Sequence, residues 1–332
     1  MTEPALAGAS GSTGPHAIRG AGLGSSASAG TARPPGALAR MVAAVGPVVA
    51  VLLLILLAWY AGAVALNRPQ VVERLDNLGE PYGWQQVVDA AWAMERPVMP
   101  APHQVAVNWW KSTFEQDLDS PRSLVFHAGV TLQATLLGFV LGMTLGVLLA
   151  VGIVQSRVLD RGLLPWVIAS QTIPILAIAP MVVVVLGSLG YPALVSKAVI
   201  SMYLCFFPVT IGMVKGLRSP DPLQLDLMRT YSASGAQTLG MLRLPASVPF
   251  LFASAKVAIA TSLVGAVVGE LPTGAQAGLG ARLLSGSYFG QTIQIWSALV
   301  MAALLGVALV AVVSLAERLV LRAMGAKPQA AR

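Results

Sequence analysis

Apolar residues are concentrated in long runs, and polar residues occupy the connections between them. The runs cover residues 41–66, 123–154, 163–187, 192–214, 248–270 and 293–315. A helix of about 20 apolar residues crosses the hydrocarbon core of a bilayer, which is about 30 Å thick. The pattern therefore predicts an all-α, polytopic membrane protein with about six transmembrane helices.

The composition agrees with a chain that lies in lipid. Of the 332 residues, 56% are hydrophobic and 11% are charged, whereas soluble domains average about 25% charged residues. The net charge is +7. The bases cluster at the ends of the apolar runs, which favours orientation in a bilayer over binding of nucleic acid.

The N-terminal region differs in composition from the rest of the chain. Residues 1–40 are rich in Gly, Ala, Ser, Thr and Pro, which predicts a disordered tail. The run 41–66 has a signal peptide as its alternative interpretation. Because the apolar core of a signal peptide is about 7 to 15 residues, the longer run favours an uncleaved first transmembrane helix.

The distribution of basic residues predicts which side of the membrane each connection faces. The bases before the first run and after the second, fourth and sixth runs are Arg19, Arg33, Arg40, Arg157, Arg161, Lys215, Arg218, Arg229, Arg243, Arg318, Arg322, Lys327 and Arg332. With six spans these segments share one side, which the positive-inside rule makes cytoplasmic. Both termini, including a short tail 321–332, are then cytoplasmic, and segment 67–122 is on the outer side.

The outer segment 67–122 carries four tryptophans and many acidic residues. The tryptophans are Trp84, Trp92, Trp109 and Trp110. They favour amphipathic rings at the membrane interface, and the alternative is a docking surface for an external partner.

No constellation of catalytic or metal-binding residues is visible in the sequence. Cys205 is the single cysteine, and His16, His103 and His127 are scattered. Neither a metal-ligand spacing nor a nucleotide-binding P-loop occurs. We therefore expect a chain that is not an enzyme and that binds no metal or cofactor.

The connection between the fourth and fifth runs is polar and has helical character. Asp221-Pro222 is a plausible helix cap and first helical residue, and the apolar pairs Leu223, Leu227 and Leu225, Met228 follow at helical spacing. Ser232, Ser234 and Gly235 predict a bend, after which a second short helix runs up to Pro245. Such a loop either presents side chains to a soluble partner or rests on the lipid headgroups.

This connection resembles a loop in the permease subunits of binding-protein-dependent ABC importers. In that family the loop carries Glu-Ala-Ala, three residues, Gly, nine residues, Ile, one residue and Leu-Pro. The matching positions here, together with the adjacent Arg229, are Asp226, Leu227, Met228, Ser232, Leu242, Leu244 and Pro245. The resemblance implies a cytoplasmic coupling helix, between helices four and five, that docks into a groove on a partner ATPase. A serine replaces the family's glycine at position 232.

The resemblance extends over roughly residues 98–320. The segments "SLVFHAGVTLQATLLGFVLGMTLGVLLAVGI", "QTIPILAIAPMVVVVLG" and "GELPTGAQAGLGARL" resemble the nitrate, sulfonate, taurine and pyrimidine-precursor branch. The resemblance implies a permease domain over residues 123–320 in the bacterial inner membrane. It also implies that two copies form one pathway, which opens alternately to either side of the membrane. The implied partners are a cytoplasmic ATPase, which holds ATP and Mg, a periplasmic substrate-binding protein and a second copy of this chain. The resemblance does not identify the solute, although it favours pyrimidine-like or other heteroaromatic compounds.

Polar residues and prolines within the spans are candidates for the translocation path. Gln171 and Thr172 stand beside Pro174 in the third run, where a bent helix exposes carbonyls to a path or to packing. Glu270 ends the fifth run and either lines an outer gate or holds the following Pro-Thr-Gly loop. Lys197 and Lys256 are expected to act as anchors near the interfaces. An ion-coupled secondary transporter is the alternative function, although it needs acids at mid-membrane.

A glycine stripe marks the second run. Gly138, Gly142 and Gly146 recur every four residues, which lets two helix backbones approach closely. The stripe packs either within the subunit or at a dimer seam, with packing within the subunit favoured. Residues 270–292 join the fifth and sixth runs, and we expect a re-entrant or gating loop there.

Overall fold

The computed structural model describes residues 37–79, 81–272 and 277–325. The described chain contains twelve α-helices and one short π-helical segment, and no strand occurs within it. The prediction of an all-α membrane protein is confirmed. Five helices are long and apolar enough to span a membrane, and a bent pair makes six.

The helices follow one another with short connections. Their bounds are α1 Ala37–Leu78, α2 Trp84–Trp92, α3 Pro102–Phe114, α4 Leu124–Gln155, α5 Arg157–Ser170, α6 Ile175–Ser188, α7 Ala193–Leu217, α8 Pro222–Thr230, α9 Gly235–Thr238, α10 Leu244–Glu270, α11 Leu279–Tyr288 and α12 Thr292–Ala323, with the π-helical segment at Leu239–Arg243.

Both predicted tails reach into residues that are helical. Residues 1–36 of the predicted tail 1–40 lie outside the described residues. The last four residues of that tail belong to α1, which begins at Ala37. At the other end α12 continues to Ala323, beyond residue 320 where the predicted permease domain ends, and residues 326–332 lie outside the described part.

The chain divides after Leu53 into two units. In the first unit, the described side chains from Val45 onward are apolar and mostly exposed, as expected for a helix that faces lipid. The second unit, from Leu54 onward, is a helical bundle. Its main core joins α4, α7 and α10 and is built around Ile153, Cys205, Val209, Met213 and Ala258.

Helix α7 is the central element of the bundle because small residues let its neighbours approach. Gly138, Gly142 and Gly146 of α4 face Ser201, Cys205 and Val209 of α7. A Cβ atom added at Gly138 would lie 2.2 Å from the Ser201 Cβ, closer than any real contact. The stripe therefore packs against another helix of the same chain. On α10, Gly265 makes a comparable approach to the Ser201 backbone.

The first helix is longer than predicted. The predicted span ended at residue 66, whereas α1 continues to Leu78. Asn67 is completely buried, and its amide is saturated: Nδ2 donates to the carbonyls of Ala91 and Met99, while Oδ1 accepts from the N–H groups of Val98 and Met99. A polar residue that looks like the end of an apolar run is thus buried and holds α1 to the segment between α2 and α3.

We expect Asn67→Ala to lower the free energy of unfolding by about 2 to 4 kcal/mol, because buried donors and acceptors lose their partners at about 1 to 3 kcal/mol each. Thermal unfolding of the purified protein in detergent measures the change. Asn77→Ala is the control, since Asn77 is exposed on the same helix. Equal unfolding temperatures for the two variants would contradict the structural role of Asn67.

The third predicted span is broken. It was predicted as one bent helix over residues 163–187, but α5 and α6 meet at an angle of 97°. Pro174 caps the start of α6 instead of lying within a helix. Because Pro174 has no N–H and disfavours a helical conformation of Ile173, the helix stops there and restarts in a new direction.

The broken pair still runs from one end of α7 to the other. Near its start, Asp160 of α5 forms an ion pair with Arg218 just beyond the last residue of α7, at 2.8 Å. At the break, the Tyr203 hydroxyl donates to the carbonyl of Ser170. At its end, α6 is followed by a short turn into Ala193, the first residue of α7. The two helices therefore form one broken span.

Candidate coupling loop and buried polar site

The loop between α7 and α10 begins with the predicted cap. The Asp221 carboxylate accepts from the Leu223 N–H at 2.8 Å, and Pro222 occupies the first turn of α8. The cap satisfies a backbone donor that the first turn of a helix leaves free, and proline tolerates this position because it needs no N–H there. This local prediction is confirmed.

The bend after α8 is centred on Ser232. This residue has a φ of 54°, the one non-glycine residue with a positive φ in the described chain. The Ala233 N–H donates to the Met228 carbonyl at 2.9 Å and closes the turn. Ser232 stands where the resembled family has glycine, so the serine keeps the left-handed conformation that glycine adopts without strain.

The second helix of the loop is continuous with the next span, which corrects the sequence prediction. The short helix was predicted to end at Pro245 and the span to begin at residue 248. Instead, residues Gly235–Glu270 form one continuous helical unit of 36 residues. Between α9 and α10 the helix widens, and Leu244 N–H donates to the Leu239 carbonyl five residues earlier. Pro245 follows directly, and its fixed φ is compatible with a helix.

The exposed surface of α8 is apolar along one face. None of its residues is buried. Leu223 and Leu227 of α8 and Tyr231, the residue that caps its C-terminal end, recur every four residues and are 78%, 55% and 77% exposed, so they lie on one side of the helix. Leu225 and Met228 are half-buried on the other side. An exposed apolar face on an otherwise polar loop is suited to binding another protein.

Charged residues accompany this apolar face. Asp226 Oδ1 and Arg229 Nη1 form an exposed ion pair at 2.9 Å. Arg229 and Arg243 also line a cavity of about 250 Å³ beside Gln155, the last residue of α4. Of the remaining family-motif positions, Leu242 is half-buried, while Leu244 and Pro245 are exposed. The motif positions therefore lie on one continuous loop, and most of them are accessible.

A buried polar cluster lies at the far end of α10. Glu270 is fully buried. Its carboxylate is 3.4 Å from Lys197 Nζ, accepts from the Thr131 hydroxyl at 3.0 Å and accepts from the Gly280 N–H at 2.8 Å. Lys197 was predicted as an interfacial anchor, but its side chain is only 5% exposed. It is a buried partner of Glu270, brought there by the packing of α7 on α10.

Glycines after α10 make room for this carboxylate. A Cβ atom at Gly278 would lie 2.2 Å from Glu270 Oε1, and Gly278 has a φ of 127° that side chains disfavour. A Cβ atom at Gly280 would lie 2.3 Å from the Val267 carbonyl oxygen and 2.8 Å from the Glu270 Cβ. Of the two predicted roles for Glu270, contact with the following segment agrees with this geometry. Residues 273–276, which include part of the Pro-Thr-Gly loop, lie outside the described residues. The segment 279–288 is the short helix α11.

Sequence reasoning missed two members of this cluster. His127 Nδ1 accepts from the Gly278 N–H at 2.9 Å, so its Nε2 carries a proton and donates to the Pro121 carbonyl at 2.8 Å. The Thr131 hydroxyl also accepts from the Leu279 N–H. Both side chains lie one turn apart on α4, and their spacing is the signal that could have indicated a shared polar face.

Lys256 has an ion-pair partner that the sequence analysis did not predict. It was predicted as an anchor that reaches the interface. Its Nζ lies 2.5 Å from Glu317 Oε2 in α12. The predicted sixth span ended at residue 315, two residues before Glu317, whereas α12 continues to Ala323. The longer helix supplies the acid.

Gln171 and Thr172 lie at the break of the third span. Both side chains are exposed, and the Thr172 hydroxyl donates to the Ala169 carbonyl at 2.7 Å. The neighbouring Ser170 is at the level of Tyr203, which is six residues, or about 9 Å of helical rise, along α7 from Lys197. The structure therefore places these candidates and Glu270 at different depths.

Together these features describe a polytopic helical membrane protein with an exposed loop at one end and a buried polar cluster at the other. Residues 142–325 match the family described as the binding-protein-dependent transport system inner membrane component. The chain belongs to this family, and it is a permease subunit of an ABC importer.

Three relatives support this membership. A probable ABC transporter permease of Haemophilus influenzae is 32% identical over 60% of this chain and 76% of its own length. The riboflavin transport system permease RibX of Chloroflexus aurantiacus is 33% identical over 68% of this chain and 80% of its own. The formylaminopyrimidine transport permease ThiX of Halalkalibacterium halodurans is 29% identical over 55% of this chain and 68% of its own.

Family membership decides between the functions that the sequence left open. An ABC permease is a transport subunit, and ATP hydrolysis belongs to a separate partner. The alternative of an ion-coupled transporter is therefore wrong, and the predictions of an importer permease and of a chain that is not an enzyme are confirmed.

Proposed function

We propose that the loop from Asp221 to Pro245 is the cytoplasmic coupling element that docks with the partner ATPase. The observation that carries this proposal is the apolar face of α8, formed by Leu223, Leu227 and Tyr231 on a helix with no buried residue. The ion pair between Asp226 and Arg229 borders that face. An apolar strip with a charged edge is typical of a specific protein interface.

The connection between loop and membrane suits the transmission of movement. Because residues Gly235–Glu270 form one helical unit, a displacement of the docked loop is carried along α10 to the cluster around Glu270. ATP-driven closure of the partner subunits would favour one arrangement of this unit over another, which is the differential contact that coupling requires. This chain would supply positioning and a path, without chemistry of its own.

The proposal includes an orientation and a second subunit. The loop, both termini and the connection after α4 carry the bases that the positive-inside rule assigns to the cytoplasm. Two copies of this chain would form one pathway in the bacterial inner membrane. A periplasmic binding protein would deliver the solute at the opposite end.

Replacing Asp226 and Arg229 together by Ala should reduce association with the ATPase, and adding Leu227→Asp should lower it by at least about tenfold. Burying an unpaired carboxylate in an apolar contact costs more than about 1.4 kcal/mol, which corresponds to a factor of ten in affinity. Co-purification of the two subunits from membranes, with ATP-dependent uptake in proteoliposomes, measures the effect.

The matched control removes one acid and one base elsewhere. Glu73 and Arg74 are exposed in the last turns of α1, and Glu73→Ala with Arg74→Ala should leave association unchanged. If the Asp226, Arg229 and Leu227 variant inserts normally and still binds the ATPase and supports uptake as before, the loop is not the coupling element.

We also propose that the solute is a small heteroaromatic compound. The proposal is supported by the names of RibX and ThiX, which transport riboflavin and formylaminopyrimidine. Thermal shift of the partner binding protein against flavins, pyrimidines and alkyl sulfonates tests it. Stabilisation by sulfonates alone would contradict it.

A further inference from the structure

A polar cavity of about 380 Å³ lies where α3, α11 and α12 meet. Three bases line it: Lys111 in α3, Arg122 before α4 and Arg282 in α11. None of its lining residues is acidic. Within the described chain, none of the three bases forms an ion pair. Three cations around one small cavity repel one another, and a bound anion would remove that repulsion.

Arg282 supplies the most specific part of this arrangement. Its side chain is half-buried, and its Nε atom is buried without a hydrogen-bond partner among the described residues. Burial lowers the pKa of Arg282 from its ordinary value, but a guanidinium stays protonated in proteins. A buried donor without an acceptor is unfavourable. The same residue lines the cavity, so an anion there would be attracted by the positive charge of this guanidinium.

The remaining lining side chains are neutral and able to donate hydrogen bonds. They are Asn108, Ser112, Gln116, Gln291 and Gln294. Two of them are fixed by the bundle: Asn108 Nδ2 donates to the Ser297 hydroxyl at 2.8 Å, and Gln294 Nε2 lies 3.3 Å from the Ser285 hydroxyl. Two arginines, a lysine and hydroxyl or amide donors around one cavity suit the recognition of oxyanions.

We propose that this cavity binds an oxyanion, such as a phosphate, sulfonate or carboxylate group. The cavity lies at the end of the bundle where α10 ends and α11 begins. The Asp221–Pro245 loop leads into the other end of α10. The same chemistry is offered by a free anion and by the headgroup phosphate of a phospholipid. The inference does not depend on the docking of the coupling loop or on the identity of the solute.

Titration of inorganic phosphate into the protein tests the site, with the protein in maltoside detergent micelles, which contain no phosphate, and with ionic strength held constant with chloride. Calorimetry should show saturable binding to the unmodified protein. Lys111→Gln, Arg122→Gln and Arg282→Gln should each weaken it by about tenfold, or about 1.4 kcal/mol. Arg96→Gln removes an exposed base that does not line the cavity and should leave binding unchanged.

Nanodiscs that contain phosphatidylglycerol distinguish the two sources of the oxyanion. If the lipid supplies it, phosphate binding should be lost in these discs and recovered in the phosphate-free micelles; if a free anion does, binding should persist in both. The proposal is overturned if phosphate at 10 mM, on the order of a weak-site concentration, does not bind to the protein in micelles. It is equally overturned if the variants Lys111→Gln and Arg122→Gln bind phosphate as tightly as the unmodified protein.

Discussion

Gly138→Ala is expected to abolish most of the folded protein. The added Cβ atom would lie 2.2 Å from the Ser201 Cβ and 2.8 Å from the Ala198 carbonyl oxygen. The second of these atoms belongs to the backbone, so it moves only if α4 and α7 separate. Separation would loosen the core at Cys205 and Val209. Overpacking typically costs about 1 to 3 kcal/mol, and a clash with backbone in the central helix pair should exceed that range.

Gly129→Ala provides the matched control on the same helix. A Cβ atom at Gly129 meets nothing within 4 Å. Because alanine favours a helix over glycine by about 1 kcal/mol, this variant should be neutral or more stable. The same chemical change thus has opposite signs at two positions of α4. The yield of monodisperse protein and its unfolding temperature measure both, and a Gly138→Ala variant as stable as Gly129→Ala would contradict the close packing of α4 on α7.

The positions of most spans could be predicted from the sequence because hydropathy reports directly on contact with lipid. The predicted run 123–154 differs by one residue at each end from α4, Leu124–Gln155. The break between α5 and α6 could not be predicted in the same way. Pro174 permits a kink or a break, and which one occurs depends on the contacts of α7, including the hydrogen bond from Tyr203 to Ser170.

In the loop from Asp221 to Pro245, some features follow from the local sequence and others do not. The Asp221 cap and the bend at Ser232 are local features, so a short stretch of sequence predicts them. The continuity of the helix through Pro245 is not a local feature, since the π-helical turn before Pro245 depends on how α10 packs. The exposure of Leu223 and Tyr231 also depends on the whole bundle, because periodicity alone does not state which face is covered.

The buried partners were the least predictable part of the site. Lys197 and Glu270 are 73 residues apart in the chain, and each stands near the end of an apolar run. Position in a span suggested an interfacial anchor for Lys197, and an outer gate or a contact with the following loop for Glu270. Their pairing follows from the approach of α7 to α10, which the small residues Ser201 and Gly265 allow. Such an approach is a tertiary property.

Lys197→Met is expected to destabilise the protein by about 3 to 5 kcal/mol, because removing one member of a buried ion pair leaves the other charge uncompensated. Lys197 also donates to the Ala277 carbonyl at 3.1 Å, so the segment before α11 would lose a hydrogen bond to α7. Glu270→Gln should cost a similar amount by leaving the ammonium of Lys197 without its carboxylate. Unfolding of each variant in detergent gives the two free-energy changes.

The double variant separates pairing from simple packing. When Lys197→Met and Glu270→Gln are combined, no isolated charge remains, and the neutral amide of residue 270 still accepts from the Gly280 N–H and the Thr131 hydroxyl. The loss should therefore be smaller than the sum of the single losses by at least about 1 kcal/mol, since contacting charges are coupled by about 0.5 to 3 kcal/mol. Strictly additive losses would mean that the two side chains stabilise the bundle independently, and the interpretation of a buried ion pair at the end of α10 would be wrong.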